Sequence, residues 1–418
     1  MRSVLCTITF LAGCICSGQG LSLDSAITLA LRHEGFRDSR ALLADMKALQ
    51  ADEVNSAWFP QFNLNVQSTY QNEQIDLPFG LPGLAPPEVP LDLHRALIEI
   101  GQTVYDGQVT RSRLRLEQLD VDQQDLALAS RELEVRGQVT QRYMAVLLGE
   151  RQLGLLALRK ASILAQHERL IAAVDAGAAL LSEAAALEAE TITLDQEIAQ
   201  VSTTVKRTRH ELATITDAAA VATASFVAPV ETEPGDLSVE QRPDIRAFDL
   251  RLQALDVQHD VARSSRLPRI RVFGNAGAGN PGYNTFLDEW RPMLLVGAGI
   301  QWRIVDWGTR KRTDRNIDLQ RDLLRMDRER IVERWTIALA HQREELAHFR
   351  ALRSSDDRLI ALRTEVTEAK AEQLANGTAT AADYVNELNK EHAARLGREI
   401  HELQAVLAIR TSKDIQAR

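Results

Sequence analysis

Tyr105-Asp106-Gly107-Gln108 closes a stretch of alternating apolar and polar residues, and Val305-Asp306-Trp307-Gly308 closes another 200 residues later. A long helix-forming run follows each corner. Upstream, Trp58-Phe59-Pro60-Gln61-Phe62 and Arg266-Leu267-Pro268-Arg269-Ile270 each end one helical stretch and open one strand. Downstream, Ala176-Gly177-Ala178 and Asn376-Gly377-Thr378 break the helices, and Gly177 and Gly377 also stand 200 residues apart. A register held through strand, turn and break marks an internal duplication, so each half is a single structural unit written twice. The boundaries predicted are 21–218 for the first repeat, 219–238 for a linker carrying Pro229 and Pro234, and 239–418 for the second repeat.

The four expected strands alternate as a barrel wall does. Phe62, Leu64 and Val66 take one face of the first, while Asn63, Asn65 and Gln67 take the other. In the second, Ile98, Ile100 and Val104 alternate with Glu99, Gly101 and Thr103. The third is expected to be short, around Ile270 and Val272. The fourth is expected over Val296–Ile304, with Gln301 and Arg303 on its polar side. Segments of this kind, apolar outside and polar inside, are the signature of outer-membrane barrels. Trp58, Trp290, Trp302 and Trp307 lie in or beside these strands, where an interfacial aromatic belt belongs. Four strands cannot close around a lumen, and an open sheet in lipid leaves edge groups unpaired. Either the sheet is soluble with one wet face, or several chains complete one barrel; three copies would supply twelve strands. In the second case Asn63, Asn65, Gln67, Glu99, Thr103, Gln301 and Arg303 face the lumen.

From Gln108 to Val174 there is no proline, and those 67 residues as one helix would extend about 100 Å. Thr309 to Asn376 repeats the pattern. Apolar residues recur at sevens, as in Leu119, Leu126 and Leu133, or Leu187, Leu194 and Val201, the spacing of helices packed along their length. A proline-rich stretch, Asp76 to Pro90, reads as an outer loop between the first two strands.

Composition sets the outer limits. Apolar residues are 45% and charged residues 26% of the 418, too polar for a bundle of membrane helices. Residues 1–20 read as a signal peptide: Arg2, an apolar stretch from Val4 to Ala12, then small residues. Cys6, Cys14 and Cys16 all fall there, so no disulfide staples the body. Leu11-Ala12-Gly13-Cys14 matches a lipobox that would make Cys14 the acylated first residue, and cleavage near Gly18 or Gly20 is the alternative. The net charge of −9 argues against nucleic acid as a partner. The 42 arginines are dispersed and form no single basic run.

No catalytic constellation stands out, and the chain is not expected to be an enzyme or to carry a cofactor. Gly274-Asn275-Ala276-Gly277-Ala278-Gly279 follows a strand, but no Gly-Lys-Ser/Thr opens a helix after it, so a turn at a barrel rim is expected. His341 and His348, with Glu344 and Glu345 between, form no compact metal set and read as helix-surface residues.

Leu23-Asp24-Ser25-Ala26-Ile27-Thr28-Leu29-Ala30-Leu31, followed by a helix into Phe59-Pro60-Gln61, resembles the opening of the TolC-type outer-membrane efflux family. Gln241-Arg242-Pro243-Asp244-Ile245 resembles the start of its second repeat, and the Tyr-Asp-Gly and Asp-Trp-Gly corners resemble its strand-to-helix junctions. The resemblance covers the chain beyond the signal. It implies a mainly α protein with a small β portion. Duplicated helical hairpins would form a trimeric α-barrel, and four strands per chain would enter a twelve-stranded transmembrane β-barrel. It further implies a homotrimer in outer-membrane lipid, reaching into the periplasm, that receives cargo from an inner-membrane pump through a periplasmic adaptor. The breaks at Gly177-Ala178 and Gly377-Thr378 would be the adaptor-docking tips. Asp383 matches a position whose carboxylates ring the periplasmic entrance, and Glu183 matches its counterpart in the first repeat. Asn386 stands where the pattern can hold a second aspartate, and Ala379 where it can hold an arginine. A soluble periplasmic coiled-coil structural or adaptor protein is the competing reading; the duplicated amphipathic strands count against it.

Overall fold

The computed structural model describes residues 20–73, 89–230, 232, 235, 238–264 and 266–417. The leader with Cys14, nearly all of the proline-rich loop and part of the linker lie outside them. The helices are α1 (Leu23–His33), α2 (Phe36–Asn55), α3 (Val109–Asp175), α4 (Leu181–Thr216), α5 (Pro243–Ser264), α6 (Thr309–Ala375) and α7 (Ala381–Ile415). The strands are β1 (Gln61–Tyr70), β2 (Asp92–Tyr105), β3 (Arg269–Asn280) and β4 (Arg291–Gln301). Helix predominates, as expected, and the strands form one antiparallel sheet in the order β1-β2-β3-β4. Its middle pairing, β2 with β3, joins strands from opposite halves of the chain.

The chain divides into two compact units. One holds the described residues up to Asp38, with Leu128–Pro243 and from Ile331 onward; the other holds Ser39–Ala127 and Asp244–Arg330. The first unit is built mainly of helices and has two cores. In one, Leu23, Ile27 and Ala30 of α1 pack against Val139, Tyr143 and Leu147 of α3 and Leu212 of α4. In the other, Leu156, Ile163 and Leu170 of α3 meet Leu187 and Leu194 of α4 and Tyr384 and Leu388 of α7. The intervals of seven within α3 and α4 are the heptad spacing at work: one apolar row per helix meets its neighbour along the full contact.

The second unit holds the sheet, and two expectations are corrected there. Gly274–Gly279 is not a rim turn; it lies within β3, which runs twelve residues and is not short. Its glycines serve close packing. A Cβ on Gly277 would lie 2.0 Å from the Ala96 carbonyl oxygen and 2.9 Å from the Leu97 Cα. Elsewhere the missing side chain makes room for a neighbour's large one: Arg271 lies over Gly101, Phe273 over Gly297 and Met293 over Gly279. Second, β4 spans Arg291–Gln301 and not Val296–Ile304, so Arg303 lies beyond it. Gln301 pairs with Arg269, the first residue of β3, and the residue before that is Pro268, which has no N–H to extend the ladder.

Candidate functional site

The sheet has two chemically opposed faces. Residues directly opposite across a ladder share a face, so the register assigns each side chain. Asn63 pairs with Glu99, Glu99 with Asn275, and Asn275 with Leu295. Asn65 and Gln67 share that side, opposite Leu97 and Arg95, as do Thr103, paired with Arg271, and Gln301, paired with Arg269. A cavity of about 800 Å³ on this face is lined by Asn63, Glu99, Thr103, Arg271, Asn275 and Gln301, among others. The structure therefore brings together Asn63, Glu99, Thr103 and Gln301. Asn65 and Gln67 continue the face along β1, and Arg303 does not belong to it. Arg113, Arg271 and Asn275 also line the cavity. Alternation continued through the glycines of β3 would have found the last two.

The opposite face carries Phe62, Leu64, Val66, Ile98, Ile100, Val272, Leu294, Val296 and Ile300. It is uncovered: Leu64 is 72%, Leu294 74% and Val296 79% exposed. A contiguous apolar surface of this kind on a folded chain marks contact with lipid or a partner.

Each corner is built by an aspartate. The Asp106 carboxylate accepts the N–H of Gln108 at 2.8 Å and that of Thr110 at 2.6 Å. Asp306 accepts the N–H of Gly308 at 3.1 Å and the Arg266 guanidinium at 2.9 Å. The Arg266 hydrogen bond, with the backbone N–H groups of Gly308 and Arg310, holds the Asp306 carboxyl below the usual range. These bonds satisfy the opening N–H groups of α3 and α6, which have no partner within the helix. The turn needs left-handed backbone at both of its residues, φ +73° at Gly107 and +72° at Gln108, and +52° at Trp307 and +75° at Gly308.

At the far ends of α3 and α6 the two hairpin turns are built alike. Gly177 has φ +72° and Gly377 φ +71°, the left-handed conformation that glycine adopts without penalty. The Ala178 N–H donates to the Ala173 carbonyl and the Thr378 N–H to the Gln373 carbonyl, both at 2.8 Å, a pattern that closes the helix C-terminus. The next helix starts differently in each. Thr380 and Asp383 form a reciprocal capping box at the start of α7. Leu180, at the matching place before α4, has no side-chain cap. Glu183 instead reaches across, and its carboxylate accepts the N–H of Ala381. Glu183 and Asp383 line one cavity of about 500 Å³ with Ala178, Gly377 and Thr378. Asn386 lies one turn further along α7, exposed. The Asp383 carboxyl is held low, first by the Thr380 N–H and then by its hydroxyl, with Lys370 adding to the effect.

No protein-family model matches the chain, and no curated protein matches it with significance. Its fold is that of solved outer-membrane channels, the fold that the TolC-type resemblance implies. The outer-membrane channel OprN is similar at 17% identity and TM-score 0.74, over 95% of this chain and 90% of that one. The CmeC outer membrane channel of Campylobacter jejuni gives 14% and 0.72, over 94% and 85%. The open-state MtrE outer membrane channel of Neisseria gonorrhoeae gives 16% and 0.70, over 94% and 88%.

Proposed function

We propose that this chain is one subunit of a trimeric outer-membrane exit duct serving a tripartite efflux pump or a type I secretion system. The observation that carries the proposal is the two-faced sheet, apolar and bare on one side and lined by amides and charges on the other. In lipid, a four-stranded sheet with two free edges leaves backbone groups unsatisfied at several kcal/mol each, and closure with further copies removes the edges. Three chains give a twelve-stranded barrel whose polar faces turn inward. Asn63, Asn65, Gln67, Glu99, Thr103 and Gln301 then line its lumen. Tyr283, Phe286 and Trp290 at one end of the strands, and Phe59, Trp302 and Trp307 at the other, are exposed in the manner of aromatic girdles. The channels OprN, CmeC and MtrE support this reading by their fold.

The turns at Gly177-Ala178 and Gly377-Thr378 are assigned to docking a periplasmic adaptor, and Glu183, Asp383 and Asn386 to the periplasmic entrance. A ring of Asp383 carboxylates around a three-fold axis would favour cations. The chain's part is passive: the pump supplies energy and selects cargo. The deciding experiment is the native mass of full-length protein extracted by detergent from purified outer membranes. A discrete species of three chains supports the shared barrel. A monomer or dimer in the soluble fraction overturns it and leaves a periplasmic helical rod.

A further inference from the structure

Helix α3 opens with Arg111, Arg113 and Arg115. Alternate helix residues lie about 200° apart, so Arg111 and Arg115 share one face and Arg113 takes the other. The cavities follow that split. Arg113 borders the polar sheet cavity with Glu99 and Arg271. Arg111 and Arg115 border a separate cavity of about 550 Å³, with Arg263 from the last turn of α5. Asp260 is on its wall, and no ion pair to Arg111, Arg115 or Arg263 is found among the described residues. Their neighbours in the same unit do pair: Arg266 with Asp306, Arg310 with Asp314, Arg321 with Asp256 and Arg328 with Asp249.

One further fact gives these arginines a setting: the cavity sits where the strands end. The β2–α3 turn is so close to the end of α5 that a Cβ on Gly107 would lie 2.8 Å from the Ser264 carbonyl oxygen. Trp302, just past β4, donates its indole N–H to the Arg266 carbonyl at 2.9 Å while 60% of the residue stays exposed. Apolar strand face, exposed tryptophan and unpaired arginines thus succeed one another, the order of hydrocarbon, interface and headgroup in a bilayer.

We propose that Arg111, Arg115 and Arg263 form a binding site for the phosphate of an anionic phospholipid in the leaflet at the junction end of the sheet. The guanidinium forks match phosphate oxygens bidentately, and the cluster is a local reversal of charge on a chain of net −9. The site rests on the outer-membrane reading above.

The full-length protein is reconstituted in phosphatidylcholine vesicles, and its association with spin-labelled phosphatidylglycerol is compared with that of spin-labelled phosphatidylcholine. A several-fold preference for phosphatidylglycerol is expected. It should fall to parity in the triple variant R111Q/R115Q/R263Q, fall in part in R111K/R115K/R263K, which keeps the charge but loses the guanidinium forks, and persist in R113Q, which changes the other face. Inorganic phosphate at the same concentration should not displace the lipid; displacement means a soluble anion site and overturns the lipid assignment. Insertion with equal affinity for both lipids overturns the site and leaves the duct standing. Failure of the wild-type chain to insert at all overturns the duct reading itself. Should the triple variant not insert, each single Gln variant is expected to lower the preference, and unchanged preference in all three overturns the proposal. Loss of chain association with no lipid preference in the wild type assigns the cavity to a second copy and also overturns it.

Discussion

The Tyr143 hydroxyl lies 2.6 Å from the Leu21 carbonyl oxygen and 2.7 Å from that of Val227, and accepts the Val227 N–H at 3.1 Å. One proton serves two carbonyls, so the group is a shared donor holding the start of the folded chain beside the segment after α4. Burial is the largest cause that pushes its pKa from 10.0 to about 12. The folded state therefore keeps the proton that the unfolded chain gives up first, so stability is full below pH 10 and falls as pH rises toward 12. Tyr143→Phe should cost about 1 kcal/mol at neutral pH and flatten the alkaline loss in a denaturation series, over a background from Tyr384, also raised to about 12. Asp383 has the opposite sign. Its depressed pKa means its contribution is present above the ordinary carboxylate range and lost as pH falls through the folded value. Amide protection at Thr380 and Asp383, corrected for intrinsic exchange, should drop on acidification in the native chain and stay low throughout in Asp383→Asn. Thr380→Ala removes the other half of the box and should destabilise by about 1 kcal/mol. The Tyr143 partners, Leu21 and Val227, were not legible in the sequence, because they lie far along the chain. Asp383 was singled out by its place after Gly377, whereas the local spacing Thr380-x-x-Asp383 is what marks a carboxylate folded back onto its own helix end.

At the scale of the element, β3 is the informative strand. A reading of Gly274–Gly279 as a turn follows glycine's usual meaning, and it fails because the glycines answer a demand from other strands. Gly277→Ala should prevent the β2–β3 pairing, since the added Cβ meets main chain and no side chain can swing away. Gly274→Ala brings only ordinary contacts, 3.4 Å to the Leu295 carbonyl oxygen, and should fold. Outer-membrane fractionation of the two variants separates them: G277A is expected to be lost to proteolysis and G274A to accumulate. The hairpin turns were legible, because a left-handed helix end requires glycine locally. Gly377→Ala should cost roughly 1–2 kcal/mol, seen as faster exchange in the last turn of α6.

At the scale of the whole molecule, the two faces of the sheet predict a directional tolerance of charge. Leu294→Lys or Val296→Lys places a cation on the apolar face and should cost about 2–4 kcal/mol in lipid, abolishing stable insertion. Asn65→Lys, on the opposite face, should insert normally. Equal behaviour of the two classes in a vesicle flotation assay would sink the lipid-facing assignment. The expected channel current would then report on the lumen: Glu99→Lys should shift ion selectivity toward anions, measured as a reversal potential in a planar bilayer.

The sequence alone determined what is local or periodic. Alternation at period two, heptads at seven and turn residues that must adopt positive φ are constraints each segment meets by itself. They fixed the strand faces, the long helices and the breaks at Gly177 and Gly377. The tertiary structure decided what depends on a distant partner. Strand length in β3 and β4 is set by the neighbouring backbone and by Pro268, Glu183 finds its partner on the opposite hairpin at Ala381, and dispersed arginines become a cluster where α3 meets α5. Such contacts join residues far apart in the chain, so no local pattern records them.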